Sequence, residues 1–448
     1  MNGRDDLVSI ARAAIAAVDP RALVAQCLNL GGGALHVQAG GVSLTFDLPQ
    51  YTKILVLGLG KAAGAMAQAV EQVLGSRITA GLIVTKPGHE AALSRIRQVF
   101  GGHPVPDQNS VQAAIQLAEL ADTADESTLV IALISGGGSS LVSAPCREGS
   151  LTLADIQETT RALLACGAEI TEINCIRKHL LLLAGGRLAQ RIAPGTCIAL
   201  ILSDVIGDDL QTIASGPTSA DASTYGQALS IVDSFGASHA LPRRVMAHLR
   251  LGAGGEIPET PKPGSPVLSR CFNLLAGTNI LALQAAASEA ARLGYNPFIL
   301  TSRLAGEAKE AGRVLAAVAA HATSGALCPK PACILAGGET TVTLRGRGKG
   351  GRNQEMAASF LREMQKEPAL FSGVSFLSFS TDGEDGPTDA AGGFALPAMV
   401  EPAGAAGVRV AAALQNNDTF PLLSGLDGLF RTGPTGTNVC DIQVVLVV

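Results

Sequence analysis

Residues 54–66 read ILVLGLGKAAGAM, an apolar β-branched run followed by two glycines, a lysine and the start of a helical pattern. The glycines at 58 and 60 permit a tight turn, and the first backbone amides of the helix form an anion site. Apolar residues then recur with helical spacing at Ala63, Met66, Ala67, Val70, Val73 and Leu74. This order of strand, glycine turn and amphipathic helix is typical of an open parallel sheet.

Similar apolar runs recur along the chain and are separated in several places by helical patterns. They occupy residues 80–85, 129–134, 197–202, 272–276, 297–301, 332–336, 374–380 and 441–448. Strands that are apolar throughout, with helices between them, predict parallel strands covered on both faces. The predicted fold class is α/β.

The segment GAGGEIPETPKPGSPVLS, residues 252–269, has four prolines and four glycines and little apolar periodicity. It is interpreted as a linker or hinge, with a long surface loop inside one domain as the alternative. The predicted domains are therefore 1–251 and 270–448. A return of the last strand to the N-terminal domain is left open.

Composition narrows the classes of protein that fit the chain. Its 448 residues are 47% hydrophobic and 16% charged, with a net charge of −5. Low charge density argues against disorder, and the acidic balance argues against a nucleic-acid or anionic-membrane partner. The nine cysteines contain no CxxC pair, which favours buried reduced thiols. Without an 18-residue apolar run or a signal-like N-terminus, we expect a cytoplasmic protein; a homodimer is left open.

Two glycine loops are candidates for binding phosphate. In the first loop, Gly60 permits the tight turn, and Lys61 stands inside that turn. In the second, the strand of LVIALISGGGSSL (residues 129–141) leads to Gly136, Gly137, Gly138, Ser139 and Ser140. Glycines let the backbone approach a ligand, and hydroxyls add donors to phosphate oxygens. Either loop could instead be a structural turn, because the spacing alone is a weak signal.

A third candidate loop, LSDVIGDD, places Ser203 and Asp204 at the end of a strand, and ASGPTSAD with Gly216 follows it. A carboxylate in this position could hold Mg²⁺ or accept a proton. A helix-capping aspartate is the alternative.

The C-terminal half combines a basic loop with an acidic one. RGRGKGGRNQE (residues 345–355) contains Arg352 and three other basic residues, and STDGEDGPTDAAGG (residues 380–393) contains Asp382. The four glycines at 346, 348, 350 and 351 predict a weakly ordered loop until phosphate oxygens hold it. An anion clamp beside a cation clamp indicates phosphoryl transfer from a Mg²⁺-nucleotide. His89, His103 and His179 are interpreted as structural.

These motifs, in this order, resemble the glycerate 2-kinase family, also called the MOFRL type. The resemblance rests on VLGLGKAAGAM, TKPGHE, GGHPVPDQNS, SGGGSSL, INCIRKHL, LSDVIGDDLQTIASGPTSAD, ETPKPG, AGGETTVTL, GKGGRNQE, STDGEDGPTDAAGG and TGPTGTNVCD. It implies a Rossmann-like N-terminal domain, a smaller α/β C-terminal domain and an active site in the interdomain cleft. It also implies transfer of the ATP γ-phosphate to the 2-hydroxyl of D-glycerate.

The same resemblance assigns residues. Lys61 and Arg352 match the two basic positions associated with catalysis, and we add Asp204 as the proton acceptor. The residues facing the nucleotide are Gly60, Gly136, Gly137, Gly138, Ser139, Ser140, Ser203 and Gly216. Asp204 and Asp382 would hold Mg²⁺, and which aspartate is base and which is ligand stays open. Leu181 and Ala184 depart from the family pattern, which has a serine and a lysine before Gly-Gly.

Two other functions compete with a kinase. An NAD(P)H-dependent hydroxypyruvate reductase would use the relaxed G-x-G-x-x-x-G of the first loop. However, Lys86 stands at the end of the second strand, where an NAD enzyme has an acidic residue; a lysine there tolerates an NADP phosphate but does not hold a pair of ribose hydroxyls as a carboxylate does. A reductase also leaves the basic and acidic loops without a function. A non-catalytic sugar-acid-binding protein would not need Lys61, Arg352 and Asp382 together.

Overall fold

The computed structural model describes residues 3–325, 327–404 and 407–448, which form two compact units. The glycine-loop unit comprises Pro20–Ser203 and Asp208–Ala276. The carboxylate unit comprises the chain up to Asp19, Asp204–Gly207 and the chain from Gly277 onward. None of the described helices is both long and apolar enough to cross a membrane.

The glycine-loop unit is built on a six-stranded sheet in the order β6-β5-β4-β7-β8-β9. Its strands are β4 (Lys53–Leu59), β5 (Ala80–Thr85), β6 (Ile96–Phe100), β7 (Thr128–Ile134), β8 (Thr196–Leu202) and β9 (Cys271–Gly277). β4 to β8 pair in parallel, and β7 and β8 are buried along their whole length. The predicted α/β class is confirmed, because central strands covered on both faces are apolar throughout.

Nine helices and a small antiparallel sheet complete the described part of this unit. The small sheet contains β1 (Leu28–Gly31), β2 (Ala34–Ala39) and β3 (Val42–Asp47). The helices are α2 (Pro20–Cys27), α3 (Ala63–Leu74), α4 (Gln108–Ala121), α5 (Gly138–Leu141), α6 (Leu153–Ala165), α7 (Ile170–Leu180), α8 (Arg187–Ile192), α9 (Tyr225–Ser234) and α10 (Arg243–Ala253). Helix α3 buries Met66, Ala67 and Val70, the face that its periodicity predicts.

The segment 252–269, interpreted from the sequence as a linker, packs inside the glycine-loop unit. Ile257 belongs to its hydrophobic core, and the buried Thr260 donates a hydrogen bond to Asp221 Oδ2 at 2.9 Å. The last change of unit along the chain falls between residues 276 and 277, after this segment. The segment is thus a largely exposed irregular stretch anchored to this unit at Ile257, Thr260 and Pro261, and Asp221 supplies hydrogen bonds that a regular element would make internally.

The carboxylate unit has a mixed sheet in the order β10-β11-β15-β12-β13-β14. Its strands are β10 (Asn296–Leu304), β11 (Ala332–Gly338), β12 (Val374–Ser380), β13 (Gly392–Ala395), β14 (Leu429–Phe430) and β15 (Asp441–Val447). The last strand lies between β11 and β12 and is antiparallel to both, so it belongs to this sheet. The expectation of parallel pairing is wrong for this strand, since a central position makes it apolar on both faces whichever way it runs.

Helices of the carboxylate unit include one from the start of the chain. They are α1 (Gly3–Ala17), α11 (Asn279–Arg292), α12 (Ala308–Ala322), α13 (Arg352–Lys366), α14 (Pro397–Gly404), α15 (Gly407–Gln415) and α16 (Thr419–Gly425). Leu7, Ile10 and Ala14 of α1 are fully buried, and Asp6 accepts a hydrogen bond from Tyr295 at 2.7 Å. The residues up to Asp19 thus belong to the same unit as the C-terminal half of the chain, whereas the sequence analysis predicted them to be part of the N-terminal domain.

Candidate active site

Three loops of the glycine-loop unit leave the sheet at the same edge. Leu59 is in register with Ile134, and Ile134 with Ile201, so β4, β7 and β8 end side by side. The Lys61 N–H donates to Gly136 O at 2.9 Å, and the Ala62 N–H donates to Ser135 Oγ at 3.0 Å. The first two glycine loops are therefore joined, at the edge where open α/β sheets bind ligands.

Gly60 is required by this close approach. Its φ is +122°, and a Cβ atom there would lie 2.2 Å from Ser135 Oγ and 2.4 Å from the Ser135 carbonyl oxygen. No other residue type fits both the dihedral angle and the space. The packing of the two loops thus fixes the backbone immediately before Lys61.

The third loop is tied to the second through hydroxyl groups. Ser139 Oγ and Ser215 Oγ are 2.7 Å apart, and Ser215 Oγ donates to Asn174 Oδ1 at 3.4 Å. The loop after Ser215 turns through Gly216, whose φ is +60°. Gly136 and Gly138 are buried, Gly137, Ser139 and Ser140 are half-buried, and Ser203 is buried just after β8. All eight residues assigned to the nucleotide lie in these three loops.

Two histidines interpreted as structural lie beside Lys61. His89 Nδ1 is 3.0 Å from the Lys61 carbonyl oxygen. A Cβ atom at Gly137 would lie 3.0 Å from the His103 ring and 3.4 Å from Lys61 Cγ. Burial, reinforced by Lys61, Lys86 and His89, lowers the pKa of His103 to about 4. The sequence signal for a role at this site was the position of the two histidines, because each follows a strand whose C-terminal end lies at this edge of the sheet.

Arg352 is the centre of the polar site in the carboxylate unit. Its Nε and Nη2 donate to the two carboxylate oxygens of Asp441 at 2.6 and 2.9 Å, and Nη1 lies 2.9 Å from Glu339 Oε1. Asp441 is fully buried, and the Glu339 side chain is 42% exposed. Such a forked pair fixes the guanidinium plane as well as its position.

Further carboxylates gather around this pair. Burial raises the pKa of Glu339, and the charges of Asp441, Asp204 and Asp382 raise it further against the opposing effect of Arg352. Asp382 accepts hydrogen bonds from Ser380 Oγ at 2.7 Å and from the Glu384 N–H at 2.9 Å. Arg352, Asp204 and Asp382, predicted separately, are thus brought together. Glu339 and Asp441 were missed, because the order β11-β15-β12 and not sequence spacing unites them.

The basic loop before Arg352 is held by the protein itself. Asn417 Oδ1 accepts from the N–H groups of Arg345 and Gly346 at 2.7 and 3.0 Å, and Asp418 Oδ1 accepts from Lys349 N–H at 2.9 Å. The expectation of a loop ordered only by ligand oxygens is therefore wrong. A turn some 70 residues further along the chain supplies the acceptors.

Comparison with known proteins identifies the family. A domain of unknown function, DUF4147, matches residues 6–250, and the MOFRL family matches residues 332–441. The chain is 39% identical over 436 residues to the glycerate 2-kinase of Pyrococcus horikoshii, covering 97% of this chain and 95% of that protein. The chain belongs to the glycerate 2-kinase family.

Other members agree in sequence and structure. D-glycerate 2-kinase of Thermotoga maritima is 40% identical, covering 88% of this chain and 91% of that protein. The crystal structure of a Thermotoga maritima glycerate kinase covers 99% of both chains with a TM-score of 0.85 and 37% identity. A protein of Agrobacterium vitis that is 39% identical, covering 91% of this chain and 90% of its own, carries a provisional hydroxypyruvate reductase name.

The two positions that depart from the family pattern are part of the core. Leu181 and Ala184 are 3% and 5% exposed and belong to the same hydrophobic cluster. The charged neighbour is Lys178, whose Nζ lies 2.7 Å from Asp221 Oδ1 in a buried ion pair. At these two positions, this member of the family therefore has packing residues where the pattern has polar ones.

The carboxylate oxygens of the carboxylate unit are suitable ligands for a magnesium ion, but too few of them are grouped together in the described part of the chain to complete its coordination. Carboxylate oxygens such as those of Asp204 and Asp382 are the ligands that Mg²⁺ prefers. Among the residues that the structure describes, however, no group of three or more His, Cys, Asp or Glu side chains could hold a metal ion. A Mg²⁺ ion held by these carboxylates would therefore also need oxygens of a bound phosphate or of water as ligands.

Proposed function

We propose that this chain is an ATP-dependent kinase that phosphorylates the 2-hydroxyl of D-glycerate, giving 2-phosphoglycerate and ADP. The observation that carries the proposal is the pair of fixed cations: Lys61 between joined glycine loops and Arg352 among carboxylates. Phosphoryl transfer depends mainly on positioning and on electrostatic stabilisation. Both are supplied by groups whose backbone or charge partners are already in place.

In the glycine-loop unit, the loops containing Gly60, Gly136–Ser140 and Gly216 would receive the phosphates of ATP. Ser139 and Ser140 offer hydroxyl donors, and Lys61 offers a compact positive charge. His103, with a pKa of about 4, is uncharged near neutral pH. It therefore adds a hydrogen-bonding group without adding repulsion to the lysine.

In the carboxylate unit, Asp204 or Asp382 would hold Mg²⁺, which when bound would screen the negative charge of the phosphates. Arg352 holds its two carboxylate partners in place and opposes the rise in their pKa that burial causes. We take Asp204 as the group that accepts the proton of the 2-hydroxyl. The hydroxyl oxygen forms a bond to the γ-phosphorus, and the bond from that phosphorus to the ADP oxygen breaks.

The reductase alternative is favoured only by the name of one group of relatives. In the structure, β5 ends at Thr85 and is followed by Lys86, where a dinucleotide-binding sheet has an acidic residue for the ribose. Lys86 also contributes to the positive potential at His103. This edge of the sheet suits phosphate better than a ribose diol.

A coupled assay distinguishes the two functions. The protein should consume ATP only with D-glycerate and Mg²⁺, and enolase should accept the product directly, because enolase acts on 2- and not 3-phosphoglycerate. Lys61→Met protein serves as the control for contaminating kinases. Oxidation of NAD(P)H with hydroxypyruvate at a rate comparable to phosphorylation would overturn the proposal.

A further inference from the structure

The carboxylate unit has a basic groove outside the site described above. It lies along helices α12 and α13 and is closed by the start of the glycine-rich loop, with a cavity volume of about 360 Å³. Five basic side chains line it: Lys309, Arg313, Arg345, Arg362 and Lys366. Only two acidic residues, Glu310 and Glu363, accompany them, in a chain whose net charge is −5.

Some of the basic side chains in the groove form no ion pair with the described acidic residues around them. Arg313 pairs with Glu310 and Lys366 pairs with Glu363, both at 2.7 Å. Arg345 and Arg362 form no ion pair with any residue that the structure describes. Two unpaired guanidinium groups in a concave site are suited to forked contacts with phosphate or carboxylate oxygens.

The groove is connected by hydrogen bonds to the loop that precedes Arg352. Asn417, which lines the groove, accepts from the N–H groups of Arg345 and Gly346 and donates to Glu355 Oε2 at 3.1 Å. Glu355 is only 1% exposed, and its other oxygen, Oε1, has no hydrogen-bond partner in the described part of the chain. A buried acceptor left unsatisfied marks a place where a small rearrangement would gain a hydrogen bond.

We propose that this groove binds a small phosphate compound with two or more negative charges and that binding stabilises the loop from Arg345 to Gly351. The volume lies near the lower end of the roughly 300–1,000 Å³ typical of small-molecule sites. The chemical feature that the groove would recognise is the phosphate group, which an inorganic polyphosphate and a phosphorylated organic acid share. The groove is separate from the glycine loops around Gly60 and Gly136–Ser140 that would receive ATP. Its binding of phosphate therefore does not depend on the proposed kinase activity.

Calorimetric titration with pyrophosphate tests the binding. All proteins carry Lys61→Met, which weakens competing binding at the glycine loops. Adding Arg313→Ala and Arg362→Ala should lower pyrophosphate affinity at least tenfold, and binding to the intact groove should weaken as salt is raised. The matched control is Arg292→Ala, because Arg292 is likewise exposed and paired with Glu289 at 2.7 Å. Equal affinity in the groove variant and the control would overturn the proposal.

Amide hydrogen exchange tests the link to the loop. Pyrophosphate should slow exchange at Arg345 and Gly346 in the control protein and leave it unchanged in the groove variant. Titrations with 3-phosphoglycerate and with inorganic phosphate distinguish the sources, since tighter binding of the former would point to a phosphorylated organic acid. Binding that leaves exchange in this loop unaltered in the control would overturn the coupling.

Discussion

Lys61 and His103 illustrate how one residue at the sheet edge affects the charge of its neighbour. The lysine stands in a turn that only glycine at position 60 permits, and the histidine ring lies against the next glycine loop. Burial is the largest cause of the low pKa of His103, followed by Lys61 and then Lys86. A neutral imidazole and a charged ammonium thus stand together at neutral pH.

This arrangement predicts how His103 titrates. Followed by NMR of labelled histidine, His103 should titrate near pH 4 in the native protein. Lys61→Met should raise this pKa part of the way towards 6.5, and Lys86→Met should raise it less. Between pH 6.5 and 4, the unfolded chain binds the proton more readily than the native protein. The contribution of His103 to stability therefore falls as the pH falls through this window. A native pKa near 6.5 in all three proteins would contradict the prediction.

Among the secondary-structure elements, helix α13 shows what places Arg352. The helix begins at Arg352, and Asp385 from the acidic loop accepts hydrogen bonds from the Asn353 and Gln354 N–H groups at 3.0 and 2.9 Å. Burial raises the pKa of Asp385 to about 6 despite these bonds. A side chain distant in sequence thus replaces a local N-cap, and Gly351 at the cap position provides none.

Removal of this cap should therefore be costly. Asp385→Ala leaves two helix amides without their side-chain acceptor, and Gln354 Nε2 loses one of its three acceptors. We expect a loss of about 2 kcal/mol in the free energy of unfolding of this unit and faster amide exchange at the start of α13. Asp389→Ala in the same loop is the control, since Asp389 is exposed and pairs with Arg431 at 3.1 Å. That variant should lose no more than about 0.5 kcal/mol. Equal losses in the two variants, measured by denaturant unfolding, would refute the capping role.

The sequence predicted elements better than their connections. Apolar runs located β4, β5, β7 and β8, because a strand buried on both faces is a continuous run of apolar residues whose ends are marked by the first polar residues or glycines. The same runs could not reveal that β15 is antiparallel, since burial is independent of direction. Asp441 was missed for a related reason: its approach to Arg352 depends on the position of β15 in the sheet.

In the whole molecule, the proposed catalytic groups are divided between two compact units. Lys61 and the glycine loops belong to one, and Arg352 with Asp204 and Asp382 to the other. Their hydrogen-bond partners are different residues, so substitutions at the two sites should have independent effects on folding. Any strong dependence of one on the other must then arise in the reaction itself.

A double-variant cycle tests whether the two groups act as a unit on the transferring phosphoryl group. Lys61→Ala should lower kcat by about 10²-fold or more. Arg352→Lys is preferred to alanine, because removal of the cation would leave the fully buried Asp441 unpaired at a cost of about 3–5 kcal/mol. Lysine keeps the charge but loses the forked contact, so kcat should also fall. If the two cations act as a unit on the transition state, so that neither contributes fully without the other, the double variant should be little slower than the slower single variant. Losses that multiply, in proteins whose unfolding free energies change additively, would instead show that Lys61 and Arg352 contribute independently to the barrier.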